Sequence, residues 1–327
     1  MKILIIGAAG MVGRKLTEAL VRSGTLGHRD ISEIILADVV PAAVPQSDIA
    51  IRSLSVDMTR PEIAGQLLGS RPDLVFHLAA VVSGEAEADF EKGYRVNLDG
   101  MRYLLEAIRN VGQGTQYRPR LVFASSIAVF GDPLPDVIPD EFPLTPLTSY
   151  GTQKAICELL LADYSRRGFV DGIAIRLPTI VVRPGLPNKA ASGFFSGIIR
   201  EPLAGVEAIL PVAPEVRHWF ASPRAAIGFL LHASSLDTTS LGQRRSLSMP
   251  GLSATVGEQI EALRRVAGDK AVALIRPQYD PAIAAMVGGW PRNFSASRAL
   301  SLGFVAEKSF DEIIRVHIED ELQGEIA

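Results

Sequence analysis

A single cysteine, Cys157, is all that the 327-residue chain carries. No intrachain disulfide is available, so the fold must be held by its core, which suits a reducing compartment such as the cytoplasm. Long apolar runs are also missing. None approaches the ~18 residues of a membrane helix, and no basic segment leading into an apolar stretch opens the chain, so a cytoplasmic protein without a membrane partner is expected. Neither sign of charge dominates: 33 Lys and Arg against 36 Asp and Glu leave -3, without the basic field that nucleic acid or an acidic membrane requires. The five histidines stand at 28, 77, 218, 232 and 317, none with another at i+2 or i+4. That spacing offers no metal site, and none is expected. His77, set in an apolar strand, reads as a core histidine with its hydrogen bonds satisfied.

What is present is a 47% hydrophobic composition, enough for a large core in two domains or in one with an inserted cap. The opening stretch, Met-Lys-Ile-Leu-Ile-Ile-Gly7-Ala-Ala-Gly10-Met-Val-Gly13, is an apolar run fit for a buried parallel strand, followed by three glycines and a helical pattern through Leu16, Ala19 and Leu20. In such a loop Gly7 allows a tight turn, Gly10 lets a pyrophosphate approach the backbone, and Gly13 packs helix on strand, with the helix N-terminus facing the phosphates. A second strand, Ile34 to Asp38, ends in a carboxylate where dinucleotide folds bind the adenosine ribose. Val39 and Val40 follow it and offer nothing to pair a 2′-phosphate, so NAD is expected over NADP. Asp57, ending a third strand, could accept from the adenine amino group. Ala79 and Ala80, after the strand Leu74-Val-Phe-His77, are small enough to lie beneath the cofactor.

Tyr150 and Lys154 are four apart, which on a helix puts them on one face. There the ammonium can lower the phenol's pKa and make it a proton acceptor. Ser126, in Phe123-Ala-Ser-Ser126-Ile-Ala-Val-Phe130-Gly131, stands upstream at a strand end. Five prolines (133, 135, 139, 143 and 146) fill the interval and predict a loop that leaves the strand before the Tyr helix begins. Cys157 reads as a core residue of that helix.

Together the glycine loop, the acid after the second strand, the Ser before Val129-Phe130-Gly131 and the Tyr-x-x-x-Lys pair resemble the extended short-chain dehydrogenase/reductase family over the whole chain. The resemblance implies a doubly wound parallel Rossmann-type sheet with helices on both faces and a smaller C-terminal substrate lobe. It assigns Tyr150 as base, Lys154 as the group that holds the ribose and the phenolate, Ser126 as hydrogen-bond partner of the reacting oxygen, and Asn97 in support. Cofactor contacts extend to Met11, Val12, Leu78, Ser125, Leu177 and Thr179. Phe130 stands where the family usually has Tyr, which removes one hydroxyl and leaves the core set intact. Within the family, Ala80-Val-Val-Ser83-Gly84-Glu85, Arg176 to Gly185, Ala191 to Gly197 and Arg217-His218-Trp219 are most similar to dehydrogenases of a four-carbon sugar acid. The resemblance thus implies oxidation of the acid's C2 hydroxyl by NAD, and pairing of two copies through helices near 91–110 and 148–167.

Alternation of strands and helices runs to about residue 178, with strands expected at 2–6, 33–37, 53–56, 74–78, 120–125 and 172–176. A cofactor domain over 1–178 and a substrate lobe over 179–327, with some return to the main domain, follow from the shift to Pro/Gly-broken segments. A sugar acid needs a cation or backbone donors for its carboxylate and neutral groups for its hydroxyls; Ser83, Arg183, Asn188, Arg217 and His218 are available beside Ser126 and Tyr150. Arg183 could equally anchor a turn, and Arg217, His218 and Trp219 could form a packed surface cluster. Two other classes share the fold: a nucleotide-sugar epimerase or dehydratase that keeps its NAD, and a non-catalytic dinucleotide sensor. Ile127 and Ala128 replace the acidic pair of a 4,6-dehydratase, Thr179 stands where nucleotide-sugar enzymes commonly have Asn, and a sensor does not need the Ser/Tyr/Lys set.

Overall fold

The computed structural model describes residues 1–185 and 192–326. In chain order its elements begin with β1 (Lys2–Ile6), α1 (Met11–Ser23), a hairpin of β2 (Thr25–Leu26) and β3 (Arg29–Asp30), β4 (Glu33–Asp38), β5 (Ala50–Ser55), α2 (Pro61–Leu68) and β6 (Leu74–His77). They continue with α3 (Ser83–Ala88), α4 (Phe90–Gly93), a π-helical turn (Tyr94–Asp99), α5 (Gly100–Gly112), β7 (Arg120–Ser126), α6 (Ser149–Arg166), β8 (Asp171–Leu177) and β9 (Thr179–Ile180). After them come α7 (Gly193–Leu203), β10 (Ala208–Leu210), β11 (Arg217–Ala221), α8 (Pro223–Ser235), β12 (Ser246–Ser248) and β13 (Leu252–Thr255). The last are α9 (Val256–Val272), β14 (Ile275–Pro277), α10 (Pro281–Gly288), α11 (Ser297–Ser301) and α12 (Phe310–Glu321). No helix among the described residues is long and apolar enough to cross a membrane.

The chain forms two compact units that interleave in sequence: Met1–Ser126, Thr148–Arg176 and Ile227–Leu247 make one; Ile127–Leu147, Leu177–Ala226 and Ser248–Ala327 make the other. The first is built on a seven-stranded sheet of order β12-β8-β7-β6-β1-β4-β5. In it β1 pairs in parallel with β4 and β6, β4 with β5, and β6 with β7. This is the Rossmann-type order, with the cofactor crevice expected at the carboxyl ends on either side of β1. The central strands are buried on both faces, so apolar residues fill most of their length, with charged and polar residues near their ends. Edge strand β5 alternates, and it starts at Ala50 rather than near 53 because its register follows β4, Glu33 opposite Ala50 through Asp38 opposite Ser55. Met101, Leu104, Leu105 and Ile108 of α5, at the i, i+3, i+4, i+7 spacing of one helix face, cluster with Leu4, Ile6, Val75, Leu121 and Phe123 of the sheet. Each such side chain contributes about 1.5–3 kcal/mol of burial.

The second unit holds a three-stranded sheet, β13-β11-β9, in which β11 runs antiparallel to β13 and parallel to β9. Its core joins Phe195, Ile198 and Ile199 of α7 to Ala262 and Leu263 of α9 and Ile313 and Ile314 of α12. Helix α9 is capped at its start: Thr255 accepts from the Glu258 amide while Glu258 accepts from the Thr255 amide, a reciprocal cap for two orphan donors. The proline-filled interval belongs to this unit. It is tied there by the Ile138–Phe294 bridge and by Phe130 packing against Phe142 and Phe294.

Candidate active site

Between β1 and α1 the glycines divide their work. At Gly7 the backbone is left-handed, φ +91°, and a Cβ would lie 2.5 Å from the Ala79 nitrogen; at Gly13 a Cβ would lie 2.3 Å from the Gly7 carbonyl oxygen. Both positions therefore exclude any larger residue on internal grounds. Gly10 differs. A Cβ there meets nothing closer than 3.5 Å, so its own protein does not demand glycine, whereas a phosphate laid on the exposed α1 N-terminus would. Gly10 caps that helix with no side-chain hydrogen bond, leaving the first amides for an anion. Met11 and Val12 open the first turn, half-buried.

Asp38, at the end of β4, accepts from Ala9 N through Oδ2 at 2.9 Å and from Val39 N through Oδ1 at 2.7 Å. The carboxylate is thereby fixed beside the glycine loop, with acceptor capacity remaining on each oxygen for ribose hydroxyls. Asp57 accepts from Thr59 N at 2.9 Å, and chiefly that bond holds its carboxyl below the usual range. Leu78 and Ala79 both donate to the Ile6 carbonyl, at 2.8 and 3.0 Å, which draws the chain after β6 against the end of β1; Ala80 follows, half-buried. These residues fit a dinucleotide: an anion-ready helix end, a ribose acceptor and a floor of small side chains.

The Tyr helix, α6, is capped by Thr148, whose Oγ1 accepts from Gly151 N at 3.0 Å, and Glu87 of α3 accepts from Ser149 N at 2.6 Å. One turn into the helix, Lys154 is fully enclosed. Its Nζ donates to the Ala124 carbonyl at 2.8 Å, 4.6 Å from the Phe123 ring centroid and 5.6 Å from that of Tyr150. Burial pulls its ammonium down to about 8, with Cys157 and Glu158 opposing. Ser126 ends β7, the strand that Lys154 grips. The Cys157 thiol donates to the Asn97 carbonyl at 3.2 Å.

Asn97 sits in the π-helical turn between α4 and α5 and is buried. Its Oδ1 accepts from Val81 N at 2.8 Å, and its Nδ2 donates to Val81 O at 3.0 Å and to Gln153 Oε1 at 2.7 Å. One side chain thus holds both backbone groups of the segment leading to Ser83, and the wide turn, a feature that recurs at functional sites, carries the amide inward. Gln153, next to Lys154, was not signalled by any motif. Ser125 directs its hydroxyl to Glu158 Oε1 at 2.6 Å, and Glu158 is paired with Arg176 of β8.

His77 is buried, but its hydrogen bonds are not satisfied as the sequence suggested: neither ring nitrogen has a partner outside its own backbone. The ring stands edge-on to Phe123, and burial, with the Lys154 charge next, pushes its pKa down to about 3.

The substrate candidates are dispersed. Ser83 begins α3, half-buried. Arg183 donates through Nε to the Ile180 carbonyl at 2.9 Å and through Nη2 to Ser192 Oγ at 2.6 Å, and its own carbonyl accepts from Arg200, a turn-anchoring arrangement. Arg217 reaches Ser253 O at 3.2 Å and Glu258 at 3.3 Å and stays 39% exposed. Asn188 lies outside the described residues. His218 is buried, stacked on Phe195 and bonded at 2.6 Å to Thr179 Oγ1; burial pushes it to about 3. Leu177, ending β8, is half-buried.

Residues 3–219 match the family described as NAD dependent epimerase/dehydratase. The chain is 50% identical over 326 residues to a D-erythronate dehydrogenase of Cupriavidus necator, covering 98% of each, and 40% identical over 319 residues to one of Haemophilus influenzae, covering 98% of this chain and 99% of that protein. Among solved structures, one described as a nucleoside-diphosphate-sugar epimerase from Agrobacterium tumefaciens is 62% identical with a TM-score of 0.98, covering 100% of this chain and 96% of that one. A GalE-like L-threonine dehydrogenase from Cupriavidus necator, 23% identical with a TM-score of 0.83 over 98% of this chain and 99% of its own, shares the fold.

Proposed function

The chain belongs to the NAD dependent epimerase/dehydratase family, and from that premise we propose that it is an NAD-dependent dehydrogenase that oxidises the C2 hydroxyl of D-erythronate to 2-dehydro-D-erythronate. The observation that carries the reading is near-full-length identity, at 50% and 40%, to two proteins of that name, on a chain whose half-buried Tyr150 and buried Lys154 lie one turn apart on α6. Bound NAD supplies the hydride acceptor. Tyr150 takes the hydroxyl proton as the C2 hydrogen leaves with its electron pair, so the alcohol loses two electrons and two hydrogens and the products are the keto acid, NADH and a proton. Lys154, held by the Ala124 carbonyl, keeps a positive charge beside the phenolate. Ser126 orients the substrate oxygen, and Asn97 fixes the Val81 backbone and with it the approach to Ser83. Ser83, Arg183, Asn188 and Arg217 are the candidates for the acid's remaining groups.

A homodimer is part of the same proposal: Leu159 on α6 is 65% exposed, a large apolar side chain on one of the two helices expected to pair. Leu159→Glu is expected to give a monomer in light scattering. A cytoplasmic setting suits the buried free thiol of Cys157.

The test is NADH formation from NAD+ with D-erythronate, L-threonate and other short aldonates, against UDP- and dTDP-sugars. Erythronate-dependent NADH that vanishes in Tyr150→Phe supports the proposal. The 62% identical structure described as a nucleoside-diphosphate-sugar epimerase makes the second outcome concrete: a nucleotide sugar isomerised with no net NADH, and no acid oxidised, replaces it.

A further inference from the structure

Two consecutive residues of β7 are gripped by two residues one turn apart on α6. Lys154 Nζ donates to the Ala124 carbonyl at 2.8 Å, and Glu158 Oε1 accepts the Ser125 hydroxyl at 2.6 Å. Ser126 is the next residue of the strand. Glu158, 2% exposed, is itself clamped by Arg176 of β8, whose Nε lies 3.0 and 3.1 Å from the two carboxylate oxygens and whose Nη2 lies 2.7 Å from Oε2. A carboxylate enclosed this way is expensive to desolvate, and a well-packed apolar pair often serves stability as well. Its place beside Lys154 and Ser126 calls for a further reason.

Lys154 supplies it. The groups facing its ammonium are the rings of Tyr150 and Phe123, the imidazole of His77, the thiol of Cys157 and the Glu158 carboxylate. Burial pushes the Cys157 thiol up to about 12 and His77 down to about 3, so both are uncharged where Lys154 titrates. That leaves Glu158 as the anion near Lys154 among the described residues, one turn along the same helix. We propose that Glu158 is a positioning residue of the active site, pinning the strand end that presents Ser126 and holding the charge of Lys154 that supports the Tyr150 phenolate. This rests on the dehydrogenase reading for its kinetic consequence, but not for its electrostatic one.

The sign follows from charge. Without the carboxylate the buried ammonium loses its stabiliser and gives up its proton at lower pH, so the alkaline limb of kcat/KM moves down, by about one pH unit. Tyr150 then loses its cation, and its own ionisation moves up. The discriminating variant is Glu158→Leu with Arg176→Met, which removes the pair without stranding a charge; Glu158→Gln repeats the measurement if the double variant does not fold. Two readouts are taken on protein whose thermal melt is cooperative: the pH profile of erythronate-dependent NADH formation, and a tyrosinate absorbance titration of each protein against its own Tyr150→Phe version, without NAD or substrate. Both shifts, with Glu158→Asp keeping the wild-type limb, are expected. A folded variant with both titrations at their wild-type positions overturns the proposal and leaves the pair a structural strut. Ser125→Ala separates the pin from the charge: kcat falls about three- to tenfold with the limb unmoved, and a wild-type kcat overturns the pin. If no acid yields NADH at all, the dehydrogenase reading fails while the tyrosinate titration still decides the role of Glu158.

Discussion

In the unit that carries Tyr150, buried polar side chains bond across elements that are far apart in sequence: Asn97 to Val81 and Gln153, Lys154 to Ala124, Ser125 to Glu158 and Glu158 to Arg176. In the other unit the two arginines expected near a substrate are engaged differently. Arg183 binds carbonyl and hydroxyl groups three and nine residues away, and Arg217 pairs with a half-exposed glutamate. The difference is one of burial and constraint. A proton acceptor must be held to a fraction of an ångström, so its supports are buried and cross between elements; a turn-anchored or exposed side chain can change without disturbing the core.

Tyr150→Phe tests the sharper half of that contrast with the largest effect. Removing the proton acceptor lowers kcat/KM by about 10²- to 10⁴-fold while the melting transition stays put; activity within tenfold of wild type would break the mechanism. Next in size is Asn97→Leu, which leaves the Val81 N–H and carbonyl and the Gln153 side-chain oxygen without their Asn97 partner. Denaturant unfolding should show about 3 kcal/mol of lost stability, the cost of buried polar groups left unmade. A loss under 1 kcal/mol would show that water takes over and that Asn97 does not organise the segment before Ser83.

Within the first unit, the glycines of the β1–α1 loop should respond differently to the same substitution. Gly13→Ala forces a Cβ to 2.3 Å from the Gly7 carbonyl and should cost about 2 kcal/mol of stability by overpacking. Gly10→Ala, with nothing inside 3.5 Å, should unfold at the wild-type denaturant concentration yet bind NAD more weakly, read by calorimetry. Equal stability losses at both positions would remove the argument that Gly10 is kept open for a phosphate.

Smaller again is a property the units share. His77 in one and His218 in the other are both pushed down to about 3 by burial. Unfolded histidine binds a proton below about 6.5, so as pH falls from there toward 5 the unfolded state gains protons that the folded state refuses. Stability present above pH 6.5 is then lost at about 1.4 kcal/mol per pH unit for each ring. His77→Gln and His218→Gln should each flatten the slope by one proton, and a slope unchanged in either would mean that ring is protonated in the folded protein.

Much of the first unit was legible because its constraints act on residue type. A left-handed turn or a helix pressed on a strand admits only glycine, a doubly buried strand is apolar over most of its length, and one helix turn is four residues, so Gly7, Gly13, β1 and the Tyr150–Lys154 pair can be read directly. The rest depended on where elements land. Asn97 turns inward through a π-helical turn that leaves no compositional mark, Glu158 meets Arg176 across two elements, and residues 127–147, which look like a connector, pack with the second unit. His77 looked like a satisfied core residue because nothing in an apolar strand says whether a ring nitrogen will find a donor.

Substrate recognition is the weaker half of the comparison, and the two arginines decide it with the smallest effect. Arg183 has its Nε and Nη2 committed to Ile180 and Ser192, so Arg183→Ala should lose stability and change KM only in proportion to misfolding. Arg217 is 39% exposed and holds Glu258 at 3.3 Å, the loose geometry of a pair worth about 1 kcal/mol or less. It can exchange that carboxylate for the substrate's at little cost. Arg217→Ala should therefore leave the melt within a degree or two and raise the KM for D-erythronate about fivefold, the equivalent of roughly 1 kcal/mol, with kcat unchanged and the KM for NAD unchanged. A KM that stays at the wild-type value leaves Arg217 with Ser253 and Glu258 as its partners and backbone donors to hold the acid; a rise for Arg183→Ala at full stability would move the cation to the turn that Arg183 anchors.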